Sequence, residues 1–323
     1  MIRRPRRTLS ALLLALVLLL ALGPGFAQPV APGPDEAAPP ASEAAPAEPE
    51  APAQPEAPAD DALTEEGPAD DALDPADLEA FLGGLVNTQL EARNIPGAVV
   101  TVVQDGEIVF ARGYGWADVE AREPVDPDAT LFRIGSVSKL FTYTAAMQLA
   151  EEGRLDLEAD VTTYLPELEI PATYDEPIRV WHLMTHTAGF EEHADGLFAR
   201  EAGAMRPLQE ILAEQLPARV RPPGELAAYS NHGVGLLGLV IERVSGQSWE
   251  AYVEEHVMAP LAMDASTPRQ PLPDDLAPNL SNGYPPVAGR PDAQPFSFVP
   301  LGPAGGISAT GTDMARFMIA HLQ

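Results

Sequence analysis

The sequence predicts a mixed α/β fold of the α+β type, in which an antiparallel sheet is flanked by helices and accompanied by a helical subdomain. Two early segments rich in β-branched residues are separated by Asp105-Gly106, which is a strong signal for an antiparallel hairpin. Helical apolar spacing recurs along most of the remaining chain. Repeated βαβ units, which would indicate a parallel sheet, are not found, so the α+β class is favoured.

The predicted elements begin with an amphipathic helix over residues 77–93, whose apolar side carries Leu78, Phe81, Leu82, Leu85 and Leu90. Strands are expected over residues 98–103 and 108–115. A short extended segment over 132–135 should lead into a helix that starts near Ser136 and stops at Gly153. Further helices are predicted over residues 208–216, 233–244, 249–257 and 313–322, the last with Thr312 as its N-cap.

The first 27 residues have the organisation of a secretory signal peptide. Arginines precede an apolar stretch over residues 9–22, and small residues follow up to Ala27. This stretch is shorter than the roughly 20 residues that a membrane-spanning helix needs. We therefore expect cleavage after Ala27 and an exported mature protein without a membrane span, located in the periplasm, outside the cell or on its surface. An uncleaved anchor is the alternative.

Residues 28–76 are rich in alanine, proline and acidic residues and contain no basic residue. Such a composition cannot bury enough apolar surface to offset chain entropy, so a disordered, extended linker is predicted. The folded domain is then expected over residues 77–323. The final helix has no stop signal before Gln323, and we expect the domain to be truncated at its C-terminus, with further strands supplied by a longer protein.

The formal net charge of the chain is −29, and the chain contains no cysteine. An acidic field of this size disfavours nucleic acid and anionic membrane surfaces as partners. Without cysteine there can be no disulfide, no thiolate metal site and no cysteine nucleophile. The sequence does not indicate an oligomeric state.

Lys139 is the only lysine, although 19 positions carry Lys or Arg. A buried ammonium group can lose its proton, whereas a guanidinium cannot. Ser136 lies three residues earlier, and residues i and i+3 of a helix lie on one face, about 5 to 6 Å apart at Cβ. At a helix start, this spacing would allow Ser136 to transfer its hydroxyl proton to Lys139. The alternative is a capping serine followed by a solvated lysine.

With Ser136-Val137-Ser138-Lys139 in place, the later Tyr229-Ser230-Asn231 completes a pair of motifs. The pair resembles the first two motifs of the serine β-lactamase and penicillin-binding-protein superfamily, in particular the branch of class C β-lactamases, D-alanyl-D-alanine carboxypeptidases and related esterases. Supporting segments follow in the same order, at residues 132–135, 153–157, 183–189, 223–225, 235–238, 259–263 and 303–308. The resemblance covers about residues 77–323.

The resemblance implies a serine β-lactamase/transpeptidase-like fold and a role for each motif residue. Ser136 would be acylated, with its backbone N–H as one oxyanion donor, and Lys139 and Tyr229 would share proton transfer. Which of these two is the general base stays open. Asn231 would bind the substrate amide and orient Lys139.

One departure from the family pattern concerns a third motif, Lys-Thr-Gly or similar, which family members carry on a late strand. No such motif lies between Tyr229 and Gln323 in the position that the family would need. We expect the full-length protein to supply it.

Two histidines, His182 and His186, stand four residues apart, a spacing that can place two metal ligands on one helix face. Glutamate does not follow the first histidine, so the zinc-protease signature is absent, and His186-Thr187-Ala188-Gly189 is interpreted as a structural turn. Residues 191–193 are interpreted as a solvated loop. Neither a metal nor another cofactor is expected.

The first functional hypothesis is an exported serine hydrolase that forms an acyl-enzyme on a small amide, ester or β-lactam, with peptidoglycan-type molecules among the substrates. Carboxypeptidase, β-lactamase and esterase activities all use these residues. The second hypothesis is a sensor of the same fold that binds penicillins or cell-wall fragments and acylates slowly or not at all.

Overall fold

The computed structural model describes residues 72–285 and 292–323. The predicted signal peptide and nearly all of the predicted linker lie outside these residues. The helices are α1 (Pro75–Arg93), α2 (Ser138–Glu151), α3 (Val180–Met184), α4 (Leu208–Gln215), α5 (Asn231–Ser245), α6 (Trp249–Val253), α7 (Gly302–Gly305) and α8 (Gly311–Leu322). The strands are β1 (Gly97–Gln104), β2 (Glu107–Asp118), β3 (Glu123–Pro124), β4 (Phe132–Arg133) and β5 (Ser308–Ala309).

Helix α1 begins two residues before its predicted start, because the Asp74 side chain accepts a hydrogen bond from the Ala76 N–H and Pro75 fits the first helical position. Its buried side also differs from the prediction. Phe81 is 69% exposed, and Leu85 is exposed as well. The residues that pack on the sheet are Leu78, Leu82, Val86 and Leu90.

The predicted hairpin forms, with β1 and β2 antiparallel and β3 beyond β2. Asp105 and Gly106 both have positive φ angles, as the tight hairpin turn requires. Helix α1 covers the face that carries Val100 and Phe110, and α8 packs on the other face. Gly311 permits this second contact, since a Cβ there would lie 2.4 Å from Val99 Cγ2.

The larger hydrophobic core lies among the helices that follow the hairpin. Helix α5 is buried along most of its length, and α2 packs against it and against the short α7. Trp249 of α6 is fully buried, and its indole N–H donates to Thr142 Oγ1 of α2. Within this core, the helices α2, α5 and α7 all contact one another.

Several boundaries differ from prediction for local reasons. Ser136 lies in a 3₁₀ turn, Gly135–Val137, ahead of α2 rather than in its first turn. Thr310, not Thr312, caps α8, with its Oγ1 accepting the Asp313 N–H at 3.2 Å. The predicted helix over 249–257 is α6 followed by a π-helical segment, Glu254–Met258.

Antiparallel pairing within both small sheets, together with the surrounding helices, confirms the predicted α+β class. Among the residues that the structure describes, no helix combines the length and apolarity needed to cross a bilayer.

Candidate active site

Ser136 is held at the junction of β4 and α2. Strand β4 pairs with β5, and the Ile134 N–H donates to the Ile307 carbonyl at 3.1 Å. The chain then turns through Gly135, whose φ of 53° lies in the left-handed region. The result is an exposed serine just before Ser138 and Lys139, the two buried residues that begin α2.

Lys139 lies in the first turn of α2 and is only 4% exposed. Its Nζ donates to Ser136 Oγ at 3.2 Å, to Asn231 Oδ1 at 2.8 Å and to the Ala304 carbonyl at 2.7 Å. An ammonium group has three protons to donate, and each has an acceptor here. The structure therefore brings together the serine and the lysine that the sequence paired.

Tyr229 contacts both Ser136 and Lys139. Its hydroxyl donates to Ser136 Oγ at 2.8 Å, and Lys139 Nζ lies 4.7 Å from the centre of its ring. The next residue, Ser230, caps α5 by accepting the Gly233 N–H at 3.0 Å, and this places Asn231 at the first position of the helix. All four sequence-predicted residues thus meet at one site.

Burial changes the proton affinities of the two candidate bases in opposite ways. It lowers the pKa of the Lys139 ammonium to about 8, an effect that the negative charge of Glu192 partly opposes. Burial raises the pKa of the Tyr229 hydroxyl above its usual value, although the hydrogen bond to Ser136 acts in the other direction. Near neutral pH, Tyr229 is protonated and Lys139 can exchange a proton.

Glu192 is an exposed loop residue, as predicted, but it also contacts the site, which the prediction did not include. Its Oε1 accepts from Asn231 Nδ2 at 2.7 Å, and its Oε2 accepts from the Asn231 backbone N–H at 3.0 Å. No motif or spacing in the sequence indicated this contact, because 39 residues separate the two partners.

His186 packs against the Tyr229 ring. The two rings lie 4.6 Å apart, and His186 Nδ1 accepts the Ser230 N–H at 3.1 Å. Its Nε2 lies 3.2 Å from the Tyr143 hydroxyl. Burial and the nearby Lys139 charge lower the pKa of this imidazole, which favours the neutral ring. The predicted structural turn therefore also carries a residue that contacts the site.

The two histidines considered as metal ligands have separate partners. His182 lies in α3, and its Nδ1 accepts the Arg179 N–H at 2.9 Å. His186 follows the end of α3 with a φ of 58°, so it does not continue that helix. Over residues 72–285 and 292–323, no group of three or more His, Cys, Asp or Glu side chains is arranged to hold a metal ion.

The chain segment that contains Ser136, Lys139 and Tyr229 also matches a protein-family model. The model described as "Beta-lactamase" matches residues 79–323. This chain belongs to the beta-lactamase family. The predicted membership of the serine β-lactamase and penicillin-binding-protein superfamily is thereby confirmed.

Individual members of the family are similar to the chain over much of its length. A beta-lactamase of Yersinia enterocolitica is 34% identical over 240 residues, which are 72% of this chain and 56% of the relative. Esterase EstB of Burkholderia gladioli is 35% identical over 209 residues, 59% of this chain and 52% of the relative. The chain therefore spans about half the length of these curated relatives.

A solved structure of the superfamily has the same fold. The octameric penicillin-binding protein homologue from Pyrococcus abyssi superposes with a TM-score of 0.66 at 30% identity, over 75% of this chain and 56% of that one. This likeness confirms the predicted β-lactamase-like fold.

Proposed function

We propose that the protein is a serine hydrolase that forms an acyl-enzyme through Ser136. The observation that carries the proposal is the position of Ser136 Oγ, which lies 3.2 Å from Lys139 Nζ and 2.8 Å from the Tyr229 hydroxyl. A serine with a base and a second proton donor within hydrogen-bond reach is the arrangement that nucleophilic catalysis requires. Membership of the beta-lactamase family supports the same reaction class.

In the proposed reaction, neutral Lys139 accepts the hydroxyl proton of Ser136 as Oγ attacks the substrate carbonyl. The backbone N–H of Ser136 stabilises the negative oxygen that develops. Tyr229, protonated at neutral pH, then donates its hydroxyl proton to the leaving group and recovers a proton through Lys139. Water finally hydrolyses the acyl-enzyme and releases the acid product.

The substrate is proposed to be a small amide, ester or β-lactam. Relatives named beta-lactamase, esterase and penicillin-binding protein homologue support all three bond types. Ser136 would attack a carbonyl carbon in each case. Selection among the three bond types would therefore depend on how the rest of the cleft fits the substrate. Asn231 is proposed to contribute to amide binding through its side chain.

Covalent labelling of the full-length protein tests the proposal. A fluorescent penicillin should add its full mass to the peptide that contains Ser136, because its β-lactam ring opens without a leaving group. A fluorophosphonate should add its phosphonyl group to the same peptide, with loss of fluoride. Ser136→Ala should abolish the labelling, and Lys139→Ala should slow it by about 10²- to 10⁴-fold, the usual contribution of a general base. Unlabelled protein, or a label on another residue, would contradict the assignment.

Turnover separates the hydrolase from a sensor. Release of nitrocefin product, of D-alanine from a D-alanyl-D-alanine peptide or of p-nitrophenol from an ester should continue beyond one equivalent of enzyme. Labelling of Ser136 that stops at one equivalent for all three substrates would support the binding or sensor hypothesis instead.

Export of the protein is part of the proposal. The arginines, the apolar stretch and the small residues before Ala27 support a cleaved signal peptide. The acidic, proline-rich residues after it support a spacer that separates the hydrolase domain from its N-terminus.

A further inference from the structure

The Glu192 carboxylate contacts Asn231 twice, once at the side chain and once at the backbone. The backbone N–H belongs to the first turn of α5, where helical N–H groups have no partner within the helix. The Glu192 side chain is 29% exposed, so a partly desolvated carboxylate closes this end of the helix. Both of its oxygens are engaged by the same residue.

These contacts determine which way the Asn231 amide faces. An ionised carboxylate accepts hydrogen bonds and donates none, so the NH₂ group of Asn231 must lie toward Glu192. The amide oxygen then faces Lys139, whose Nζ donates to it at 2.8 Å. In the reversed orientation, oxygen would oppose carboxylate and NH₂ would oppose ammonium, and both contacts would be lost.

The charged and titratable groups around Glu192 come from several parts of the chain. His193 is adjacent in sequence, His186 lies in the preceding turn, and the Glu192 charge also acts to raise the pKa of Tyr229 and of Lys139. From α5, the buried His232 places its Nδ1 4.0 Å from Glu192 Oε2. Burial and the neighbouring His193 lower the pKa of His232, so this imidazole is predominantly neutral. The positive charge that Glu192 faces is therefore that of Lys139, and the Asn231 side chain forms hydrogen bonds with both residues.

We propose that Glu192 is a positioning residue that locks the Asn231 amide and thereby holds Lys139 in hydrogen-bond contact with Ser136. The inference rests on the proposed acyl-enzyme function for its effect on catalysis. It has a second, electrostatic consequence: the negative charge of Glu192 raises the pKa of Lys139 against the effect of burial. Removal of that charge should lower the pKa.

The kinetic test compares Glu192→Gln with Glu191→Gln. Glu191 is exposed, and among the described residues its carboxylate makes no hydrogen bond with the site. Glu192→Gln removes the charge and places an NH₂ group against one of the two Asn231 donors, the side-chain NH₂ or the backbone N–H. We expect its kcat/KM to fall about 10- to 100-fold, the scale of a small misplacement of a catalytic group. In a profile of kcat/KM against pH, the rise on the acid side, which follows the loss of the Lys139 proton, should also shift to lower pH in this variant. A general loss of folded protein would not cause that shift.

A double-mutant cycle tests the route through Asn231. In an Asn231→Ala background, Glu192→Gln should cause little further loss of kcat/KM, because the amide that Glu192 orients is gone. If Glu192→Gln lowered kcat/KM by the same factor in the Asn231→Ala background as in the wild type, Glu192 would not act through Asn231. Glu192→Asp supplies a variant that keeps the charge on a shorter side chain and should retain the wild-type pH limb.

Lys139 offers a readout that does not require turnover. Lys139 is the only lysine of residues 1–323. The side-chain NMR signal of ¹³C-labelled lysine that is lost in Lys139→Arg therefore belongs to this residue, and the titration of that signal reports its pKa. The midpoint should fall in Glu192→Gln and stay unchanged in Glu191→Gln. Equal midpoints in Glu192→Gln and wild type would overturn the inference. Absence of Ser136 labelling in wild type would instead refute the proposed function, and the titration would still decide the role of Glu192.

Discussion

At the scale of single residues, the burial of Lys139 explains how a lysine can act near neutral pH. The side chain is almost completely excluded from water, and its three acceptors are a hydroxyl, an amide oxygen and a carbonyl rather than a carboxylate. Neutral acceptors stabilise an ammonium less than a direct ion pair would. The protein therefore orients Lys139 without preventing the loss of its proton.

The pH dependence of the reaction follows from this environment. Because Lys139 must be neutral to accept the Ser136 proton and its pKa is about 8, kcat/KM should rise with pH and level off above about pH 8. The measurement is a kcat/KM profile with a p-nitrophenyl ester. Lys139→Arg, which stays charged, should lose about 10²- to 10⁴-fold across the range.

Tyr229→Phe is the matched control for that profile. It removes the hydroxyl that contacts Ser136 and should lower the rate while the acid limb stays in place. A limb that disappears in Tyr229→Phe and persists in Lys139→Arg would assign the base to the tyrosine.

Sequence spacing was sufficient to pair Ser136 with Lys139, since they are separated by one turn. It placed them in a single α-helix, whereas a 3₁₀ turn carries the serine. Glu192 could not be predicted in the same way, because its partner lies on a separate element and the local sequence contains only a run of polar residues.

At the scale of elements, the site depends on close packing of α5 against α7. A Cβ on Gly238 would lie 2.3 Å from Pro303 Cγ. Pro303 precedes Ala304, whose carbonyl accepts from Lys139. The distance between these two helices therefore influences the position of one of the three Lys139 acceptors.

Gly238→Ala should disturb both stability and activity. The added methyl group must displace Pro303, and overpacking of this kind costs about 1 to 3 kcal/mol, more than the up to about 1 kcal/mol that alanine gains in a helix. We expect a lower urea midpoint and a reduced kcat/KM. Gly233→Ala is the control on the same helix, since its nearest contact would be an ordinary 3.5 Å to Ser230. Equal midpoints for the two variants would contradict the packing argument.

Helix and strand types were predictable where one local signal dominated. Asp105-Gly106 formed the hairpin, and Gly246 ends α5 in the left-handed conformation. The buried side of α1 was predicted less well, because an apolar pattern wider than the contact area does not indicate which residues face the sheet. Phe81 and Leu85 are exposed for that reason.

At the scale of the whole molecule, the described residues contain two hydrophobic clusters. A small one joins α1 to the hairpin, and a large one joins the helices around α5. Lys139 lies in α2, which packs against both α5 and α7 of the second cluster, and Ser136 directly precedes this helix. Helix α8 contributes Phe317 to the large cluster and also covers the hairpin.

Export makes a prediction about the whole chain. If the signal peptide is cleaved after Ala27, the mature protein recovered from its native host should begin at Gln28. Intact-mass measurement and N-terminal sequencing check this outcome. A mature chain that retains the arginines before the apolar stretch would contradict cleavage and support the uncleaved anchor.

The sequence by itself determined the fold class and the superfamily, and it indicated the four residues Ser136, Lys139, Tyr229 and Asn231. These residues form two short motifs, and the members of each motif are only two or three positions apart. The tertiary structure decided that Glu192 and His186 support the site and that the Ala304 carbonyl binds Lys139. These contacts join elements far apart in the chain, so they depend on how helices pack, which no local pattern encodes.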